Sequence, residues 1–327
     1  MPLLSGESSA DVQACARYLA QGQLVAFATE TVYGLGADAC NDDAVASIYA
    51  AKGRPVGHPL IVHVASVDAA LAFCPTLGSS AQRLVAECWP GPLTVIVPRR
   101  PGVARAAAGG QDTVGLRMPA HPVALALLRE AAAMGVMGVA APSANRFGRV
   151  SPTTAAHVVQ EFGPSLWVLD GGACEVGIES TIVDCTREPP SLLRPGQIGR
   201  AALERLLGSS LGSRDAASPR APGTLSAHYA PAAPVRLVQA ADLAAVLAAL
   251  PPGGQGAAVY SRESHAGVAG VKAWRHLPDT AAAAAHDLFG VLREFDDQGV
   301  DCILVEMLPA EPEWEGVLDR LQRAASA

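Results

Sequence analysis

Aromatic residues, paired cysteines and excess positive charge are all scarce in this sequence. Only 5% of its 327 residues are aromatic, and they form no stripe on which nucleobases would stack. A formal net charge of −7 argues against an overall basic coat for nucleic acid. Most of the negative excess lies after Leu207, so the earlier part of the chain can still carry a local basic cleft.

The seven cysteines are scattered and never form a Cys-x-x-Cys pair. This usage predicts reduced, mostly buried thiols in a cytoplasmic protein, and neither a disulfide framework nor a zinc site. The first residues, MPLLSGESSADVQ, lack the basic and apolar segments of a secretory signal. No apolar run is long enough to span a bilayer, so we expect a soluble, intracellular protein without a membrane partner.

Motifs of several enzyme classes are missing as well. The chain has no GxxxxGK[ST] phosphate loop, and no GxSxG turn surrounds Ser180. We find no metal cage, nucleophilic triad or redox group in the sequence. Catalysis, if there is any, would therefore rest on positioning and electrostatics.

The length and the 50% hydrophobic content predict two folded domains with ample cores. Short apolar runs alternate with helical patterns up to Leu207, which predicts an α/β sheet covered by helices, with mixed strand order because of prolines near the strands. The expected strands are 24–28, 60–64, 93–97, 114–117, 138–141, 166–169 and 181–184. The expected helices are one capped by Ser8 or Ser9 and ended by Gly22, then 41–51, 66–73, 79–88, 121–133 and 152–161, the last capped by Ser151.

The composition changes after Leu207. Residues 208–234 are rich in Gly, Ser, Pro and Ala, which is typical of a linker. A second alternation follows, with expected strands 235–238, 257–260 and 302–305 and expected helices 241–249, 279–298 and 313–324. We therefore predict a first domain over 1–207, a linker over 208–234, and a small α/β domain over 235–327 with a structural or regulatory role.

The segment between Ala28 and Val64 carries the strongest functional signal. An apolar strand ends in the polar, glycine-containing turn TETVYGLG, and a helical pattern then runs from Asn41 to Gly53. Two cations and two imidazoles accompany its end, namely Lys52, Arg54, His58 and His63. Glycines let the backbone approach a ligand while the cations neutralise an anion such as a triphosphate.

Plainer interpretations of these residues stay open. Thr29 and Thr31 can cap a turn, and Lys52 and Arg54 can form a solvated helix end that the helix dipole favours. A single histidine in an apolar strand, like His63, is more often a satisfied core residue than a ligand group. His58 can be an ordinary loop residue.

Three further junctions between strands and loops carry polar groups. Arg117 ends a strand, where it offers a fork for carboxylate or phosphate or, equally well, makes a surface salt bridge. The loop APSANRFGRVSPT, residues 141–153, combines hydroxyls, guanidinium groups and a predicted helix start, which suits phosphate. In GIESTIVD we interpret Ser180 as a hydrogen-bonding group, while Glu179 and Asp184 either help to hold a metal or simply flank a strand.

These segments, in this order, resemble the threonylcarbamoyl-AMP synthase family, also called the YrdC-type domain. The similarity covers about residues 8–207 and is carried by TETVYGLGADA, KGRPVGHPLIVHV, PGPLTVIV, GLRMPAHP, APSANRFGRVSPT, ESTIVD and LLRPGQI. APGTLSAHYAP and the α/β domain after it resemble the longer, two-domain form. The resemblance implies a YrdC-like twisted mixed sheet with helices packed on it, plus a smaller Rossmann-like α/β C-terminal domain.

The resemblance also implies a reaction. L-threonine, bicarbonate and ATP, with Mg²⁺ as the expected ion, would give threonylcarbamoyl-AMP and pyrophosphate, which makes the protein a nucleotidyltransferase. The tRNA threonylcarbamoyl-transferase machinery would then use the adenylate to modify tRNA. No stable nucleic-acid complex is expected, and no side chain is assigned to a metal.

Residue roles follow from the same motifs. Threonine would be contacted by Thr31, His63, Arg117, Ala141 and Ser180. ATP would be contacted by Lys52, Arg54, His58, Thr113, Ser143, Asn145, Ser151, Arg194 and Tyr229. Lys52 and Arg54 would act in catalysis on the phosphates, and Tyr229 would fold back over the nucleotide as a lid.

The sequence departs from the family pattern at two positions. Ala28 stands where proline is usual, which loosens a turn. His58 stands where asparagine is usual, which replaces an amide with an imidazole at a presumed phosphate contact.

Two other functions remain as alternatives. YrdC-like domains have also been regarded as double-stranded RNA binders, and such a module would bind RNA with steep salt dependence. A carbamoyl-transferring relative, as in hydrogenase maturation, would carry zinc-finger and acyl-phosphatase segments that this sequence lacks.

Overall fold

Two units share the chain in the computed structural model, which describes residues 3–224, 228–250 and 254–327. The first unit comprises the chain up to Phe147 together with Ser151–Thr224. The second comprises Gly148–Val150 and the chain after Thr224. The predicted boundaries at residues 207 and 234 stay predictions, and residues 225–227 of the predicted linker lie outside the described residues.

A mixed sheet forms the frame of the first unit. Its strands are β1 (Leu3–Ser5), β2 (Val25–Phe27), β3 (Gly34–Asp38), β4 (Ile61–His63), β5 (Leu93–Pro98), β6 (Thr113–Arg117), β7 (Val139–Ala140), β8 (Trp167–Asp170), β9 (Thr181–Asp184), β10 (Ser191–Arg194) and β11 (Gly212–Ser213). Across the sheet their order is β1-β8-β2-β3-β7-β4-β6-β5-β9-β10-β11. Strands β4 and β6 are parallel, whereas β5 and β6 are antiparallel, which confirms the predicted mixed order.

Helices cover both faces of this sheet. They are α1 (Ser9–Ala20), α2 (Asp42–Lys52), α3 (Val67–Ala70), α4 (Ser79–Cys88), α5 (Pro122–Ala133), α6 (Ala155–Phe162) and α7 (Arg200–Leu207). Successive side chains of a strand point to opposite faces. Accordingly, Val25 and Phe27 join the apolar cluster of α1 and α5, while Ala26 joins the cluster that contains residues of α2, α4 and α7.

Helix α2 begins and ends where its capping residues predict. The Asn41 side chain accepts hydrogen bonds from the backbone N–H groups of Asp43 and Ala44. Gly53 ends the helix in the left-handed conformation, at φ 61°, which glycine adopts without steric cost. The two caps thus fix Lys52 in the last turn, immediately before the loop that carries Arg54.

The predicted turn after β2 is partly wrong, because Gly34–Asp38 forms strand β3. Glycine disfavours strands, so the sequence pattern hides this one. Here the glycine is required by packing. A Cβ atom on Gly36 would lie 2.8 Å from the Phe27 ring and 2.9 Å from the Val139 side chain. β3 can therefore lie between β2 and β7 only without that atom.

The predicted helix start at Ser151 and Pro152 is also wrong. Helix α6 begins at Ala155, and its N-cap is Thr154, whose side chain accepts from the His157 N–H. The carbonyls of Pro152 and Thr153 instead accept hydrogen bonds from the N–H groups of Tyr33 and Cys174. These hydrogen bonds to segments distant in sequence keep residues 151–153 out of the helix. Ser151 therefore lies in a loop and not at a helix terminus.

The second unit contains a smaller, parallel sheet. Its strands are β12 (Val235–Val238), β13 (Ala257–Ser261), β14 (Val271–His276) and β15 (Cys302–Glu306), in the order β12-β15-β13-β14, and its helices are α8 (Leu243–Ala248), α9 (Ala281–Asp297) and α10 (Glu315–Ala325). This α/β unit confirms the predicted second fold. Across the described ranges, no helix combines the length and the apolar composition that crossing a membrane requires.

Candidate active site

Two predicted site residues of the first unit lie at the ends of neighbouring strands of its sheet. His63 ends β4 and Arg117 ends β6, and the two are cross-strand partners in register. Both side chains are buried. Burial, together with the charge of Arg117, lowers the pKa of His63 to about 3, so its ring is neutral at physiological pH. The structure thus brings these two residues together from separate motifs.

Arg117 has its partners in the turn after β2. Its Nη2 lies 2.7 Å from Oε1 of Glu30, its Nη1 donates to the Thr31 hydroxyl at 2.9 Å, and its Nε donates to the Gly91 carbonyl at 3.3 Å. Burial opposes ionisation of Glu30, but the charge and hydrogen bond of Arg117 prevail and lower the pKa of that carboxyl. The salt bridge that the sequence left open for Arg117 is present, and it is buried rather than on the surface.

Glu30 was not among the predicted site residues, although it lies in the TETVYG motif. Its neighbour Thr29 organises the turn. The Thr29 hydroxyl donates to the Val32 carbonyl at 2.6 Å and contacts the Thr31 hydroxyl at 2.9 Å. The turn is therefore held by its own hydroxyl, as one plain interpretation proposed, and this same turn presents Thr31 to Arg117.

Ser180, directly before β9, and Arg194, at the end of β10, form a second buried group. Arg194 donates from Nε to the Ser180 carbonyl at 3.0 Å and from Nη2 to the Ser180 hydroxyl at 3.1 Å. The same hydroxyl lies 2.8 Å from that of Thr94 on β5. A residue expected at threonine therefore contacts one expected at ATP. Ala141 lies just after β7 and donates its N–H to the Ile61 carbonyl of β4.

Lys52 is buried and tied to the predicted phosphate loop. Its ammonium donates to the backbone carbonyl of Ser143 at 2.6 Å and to that of Asn145. Burial and the charge of Arg54 lower the pKa of Lys52 well below its usual range. The interpretation of Lys52 as part of a solvated helix end is therefore wrong, because only 3% of the residue is exposed.

Arg54 lies over an aromatic ring that the sequence did not single out. Its guanidinium carbon is 5.8 Å from the centre of the Phe147 ring, and its Nη2 donates to the Pro59 carbonyl at 3.0 Å. His58 meets the same ring edge-on at 5.8 Å. Burial and the charges of Arg54 and Arg220 lower the pKa of His58. Arg54 is buried too, so the solvated helix end is also excluded for it.

Two predicted ATP residues lie elsewhere in the first unit. Ser151 donates its hydroxyl hydrogen bond to the Glu179 carboxylate, and both side chains are buried. Thr113 begins β6, opposite Pro98. Arg54 also borders a cavity of about 610 Å³, whose lining includes Tyr49, Val56, Arg105 and Gly109.

Tyr229 belongs to the second unit. It is buried, and its backbone adopts φ 64°, which is uncommon for a residue with a side chain. Its ring lies 5.5 Å from that of Phe289, and the Arg320 guanidinium carbon lies 5.4 Å from its centre. Its role as a lid stays a prediction.

The described ranges of the chain hold no cluster of metal ligands. There, no group of three or more His, Cys, Asp or Glu side chains is placed to hold a metal ion. All seven cysteines are free thiols.

Comparison with known proteins places this site in a family. A model described as "Telomere recombination", for Sua5, YciO and YrdC proteins, matches residues 17–196, and one described as "Threonylcarbamoyl-AMP synthase, C-terminal domain" matches residues 198–326. A threonylcarbamoyl-AMP synthase of Pyrococcus abyssi is 37% identical over 96% of this chain and 94% of that protein. The chain belongs to the threonylcarbamoyl-AMP synthase family.

Other members of the threonylcarbamoyl-AMP synthase family are also similar to this chain over nearly its whole length. The Bacillus subtilis protein of that name is 38% identical over 95% of this chain and 91% of its own length. The crystal structure of P. abyssi Sua5 complexed with L-threonine matches with a TM-score of 0.89 and 36% identity, covering 97% of this chain and 95% of that one. The predicted family and fold are thus confirmed over both units.

Proposed function

We propose that this protein catalyses the formation of L-threonylcarbamoyl-AMP and pyrophosphate from L-threonine, bicarbonate and ATP. The observation that carries the proposal is similarity over nearly the whole chain to proteins of that name, one of them solved with L-threonine bound. These relatives support the synthase and not the alternative of an RNA-binding module. The activity is that of a nucleotidyltransferase, and tRNA modification is the process it serves.

The group around Arg117 is our proposed threonine site, with Thr31, His63, Ala141 and Ser180. A guanidinium has five N–H donors. In the described part of the chain, Arg117 uses one on each of its three nitrogens, which leaves a donor on both terminal nitrogens for a carboxylate. The neutral His63 ring can accept or donate a hydrogen bond without adding charge beside Arg117.

The nucleotide site in this proposal comprises Lys52, Arg54, His58, Thr113, Ser143, Asn145, Ser151, Arg194 and Tyr229. Lys52 supports it in part by shaping the loop, because its ammonium binds the carbonyls of Ser143 and Asn145. Arg54 adds a second cation next to that loop. The Lys52 ammonium and the Arg54 guanidinium near the phosphates would offset part of the negative charge of a triphosphate.

The chemistry then runs in two steps. The threonine amine takes up bicarbonate with loss of water and becomes a carbamate. A carbamate oxygen attacks the α-phosphorus of ATP in line, the bond from that phosphorus to the bridging oxygen breaks, and pyrophosphate leaves with the electron pair. Negative charge on the phosphate oxygens is stabilised by Lys52 and Arg54. We take ATP as its Mg²⁺ complex, because Mg²⁺ is commonly held through substrate phosphates.

The product is a labile mixed anhydride, so excluding water from the site is useful. The need to exclude water supports Tyr229 and the linker over 208–234 as a lid. In this proposal the catalytic domain covers residues 1–207 and the C-terminal domain covers residues 235–327. We propose a cytoplasmic location, where the tRNA threonylcarbamoyl-transferase machinery would receive the adenylate.

The decisive experiment is pyrophosphate release from ATP and bicarbonate, with and without L-threonine, using the full chain. We expect release only with threonine present, and adenylate as the matching product by chromatography. Release that ignores threonine would refute the proposal. Filter binding of double-stranded RNA in a salt series tests the alternative, which requires binding that weakens steeply with salt.

A further inference from the structure

A short segment of the predicted phosphate loop belongs to the second unit. The chain passes from the first unit to the second at Gly148 and returns at Ser151. Asn145 lies just before this segment and Ser151 directly after it, and we propose both as ATP contacts. Whatever holds Gly148–Val150 therefore fixes the backbone between those two contacts.

The second unit holds this segment by its backbone. The Ala230 N–H donates to the Gly148 carbonyl at 2.8 Å, and Arg149 forms a parallel bridge with Ala230. Arg293 of α9 donates to the Val150 carbonyl. The backbone carbonyls at both ends of the segment thus accept hydrogen bonds, one from Ala230 and one from α9.

Asp296 of α9 joins these supports to one another. Its Oδ2 lies 2.9 Å from Nη2 of Arg149, while its Oδ1 accepts from the N–H groups of Ala232 and Ala233 at 2.7 and 3.0 Å. Only 12% of the Asp296 side chain is exposed. Both carboxylate oxygens are therefore engaged in charge-assisted contacts. The Arg149 side chain is 43% exposed, so solvent partly screens the ion pair.

We infer that Asp296 is a positioning residue for nucleotide binding. By holding Arg149 on one side and residues 232–233 on the other, its carboxylate sets the path of Gly148–Val150, and with it the placement of Asn145 and Ser151. This assigns α9, in the C-terminal domain, a part in the reaction although it contributes no group to the reacting atoms. The inference rests on the proposed function.

The test compares full-length variants in threonine-dependent pyrophosphate release. We expect Asp296→Ala to raise KM for ATP about tenfold, the effect of losing about 1.4 kcal/mol of binding, with KM for threonine unchanged and a smaller change in kcat. Arg149→Ala should raise KM for ATP in the same direction, and Arg149→Lys should restore part of it. Asp296→Asn keeps an oxygen for the N–H groups but loses the charge, so it should fall between parent and Asp296→Ala.

The matched control is Glu294→Gln on the same helix. Glu294 makes an ion pair with Arg275 that is more exposed than that of Asp296, and this pair lies outside the segment. Equal KM values for ATP in Asp296→Ala, Arg149→Ala and Glu294→Gln would overturn the inference, as would an equal rise for both substrates. If Asp296→Ala fails to fold, shown by its circular dichroism, the Arg149 pair of variants decides alone.

Failure of the proposed function is recognisable separately. A parent protein that releases no pyrophosphate with threonine refutes the function. ATP binding measured by calorimetry then replaces KM as the readout for Asp296. A parent that is active, with variants that bind and use ATP as the parent does, refutes the positioning role alone.

Discussion

Glu30 and Arg117 form a buried ion pair, with 2.7 Å between Oε1 and Nη2 and only 6% and 4% of their side chains exposed to solvent. The pair joins the turn after β2 to the end of β6, two segments far apart in sequence. It holds a guanidinium inside the protein while Thr31 binds the neighbouring nitrogen. The turn and the strand therefore depend on one another.

Glu30→Gln is expected to destabilise the protein strongly, because it leaves the Arg117 charge buried without its partner. Removing one member of such a pair typically costs about 3–5 kcal/mol. Urea unfolding of the full chain at pH 7 gives the difference. Glu175→Gln serves as control, since Glu175 is an exposed acid of the same unit. Similar unfolding midpoints for the two variants would contradict the importance of the pair.

The neutral, buried His63 predicts loss of stability in mild acid. Its folded pKa of about 3 lies below the value of about 6.5 in an unfolded chain, so only the unfolded state takes up a proton between them. Stability is full above about pH 6.5 and falls as the pH drops, by about 2 kcal/mol between pH 6.5 and 5 at most, since one pH unit is worth about 1.36 kcal/mol. Urea unfolding at several pH values in this range should show that the free energy of unfolding depends less on pH in His63→Gln than in the parent. Equal pH dependence in the two proteins would mean that the pKa of His63 is not lowered in the folded state.

Lys52→Met is expected to impair both stability and activity. The change leaves the carbonyls of Ser143 and Asn145 without their buried donor, at a cost of about 1–3 kcal/mol. Distortion of the loop should reduce kcat/KM for ATP by about a hundredfold or more, because a cation is lost as well. Pyrophosphate release and thermal unfolding measure the two effects.

Lys272→Met is the matched control for Lys52→Met. Lys272 also donates to backbone carbonyls, those of Gln298 and Gly299, but it is exposed on the second unit. Its loss should change stability by less than about 0.5 kcal/mol and leave activity intact. Equal effects of the two substitutions would show that burial of Lys52 does not matter.

Gly36→Ala should destabilise the first unit by about 1–3 kcal/mol, because the new Cβ meets the Phe27 ring, the Val139 side chain and the Val25 carbonyl at 3.1 Å or less. Gly290→Ala provides a comparison with the opposite sign. Gly290 lies inside α9, and an added Cβ would meet no heavy atom within 4 Å beyond its chain neighbours and the backbone of its own helix, so alanine should stabilise by up to about 1 kcal/mol. Thermal unfolding distinguishes the two, and a stable Gly36→Ala protein would show that β2 and β7 can move apart.

Local signals predicted those elements whose ends the sequence marks. Asn41 and Gly53 bracket α2, Ser79–Cys88 forms α4 as expected, and the apolar run Thr181–Asp184 forms β9. Strands with weak local preference escaped prediction. Gly34–Asp38 is rich in glycine, and Val271–His276 lies at the edge of its sheet and has no regular alternation of polar and apolar residues. Both depend on partners distant in sequence, which periodicity does not reveal.

Residue types indicated the candidate site better than they indicated its contacts. The family resemblance assigned both Arg117 and Thr31 to threonine, and the structure shows a hydrogen bond between the two side chains. Glu30 was missed because a single carboxylate in a polar turn has no signature of burial. Phe147 was missed because the position of its ring against Arg54 depends on the whole fold. The helix predicted to start at Ser151 does not form there, because the carbonyls of Pro152 and Thr153 accept hydrogen bonds from Tyr33 and Cys174.

The contact of Lys52 with the backbone of Ser143 and Asn145 couples the last turn of α2 to the loop after β7. Separating the helix end from the loop would leave the buried Lys52 ammonium without these two hydrogen-bond acceptors, which is energetically costly. We therefore expect the end of α2 and this loop to move together. The substrates of the proposed site should enter it without separating Lys52 from the loop.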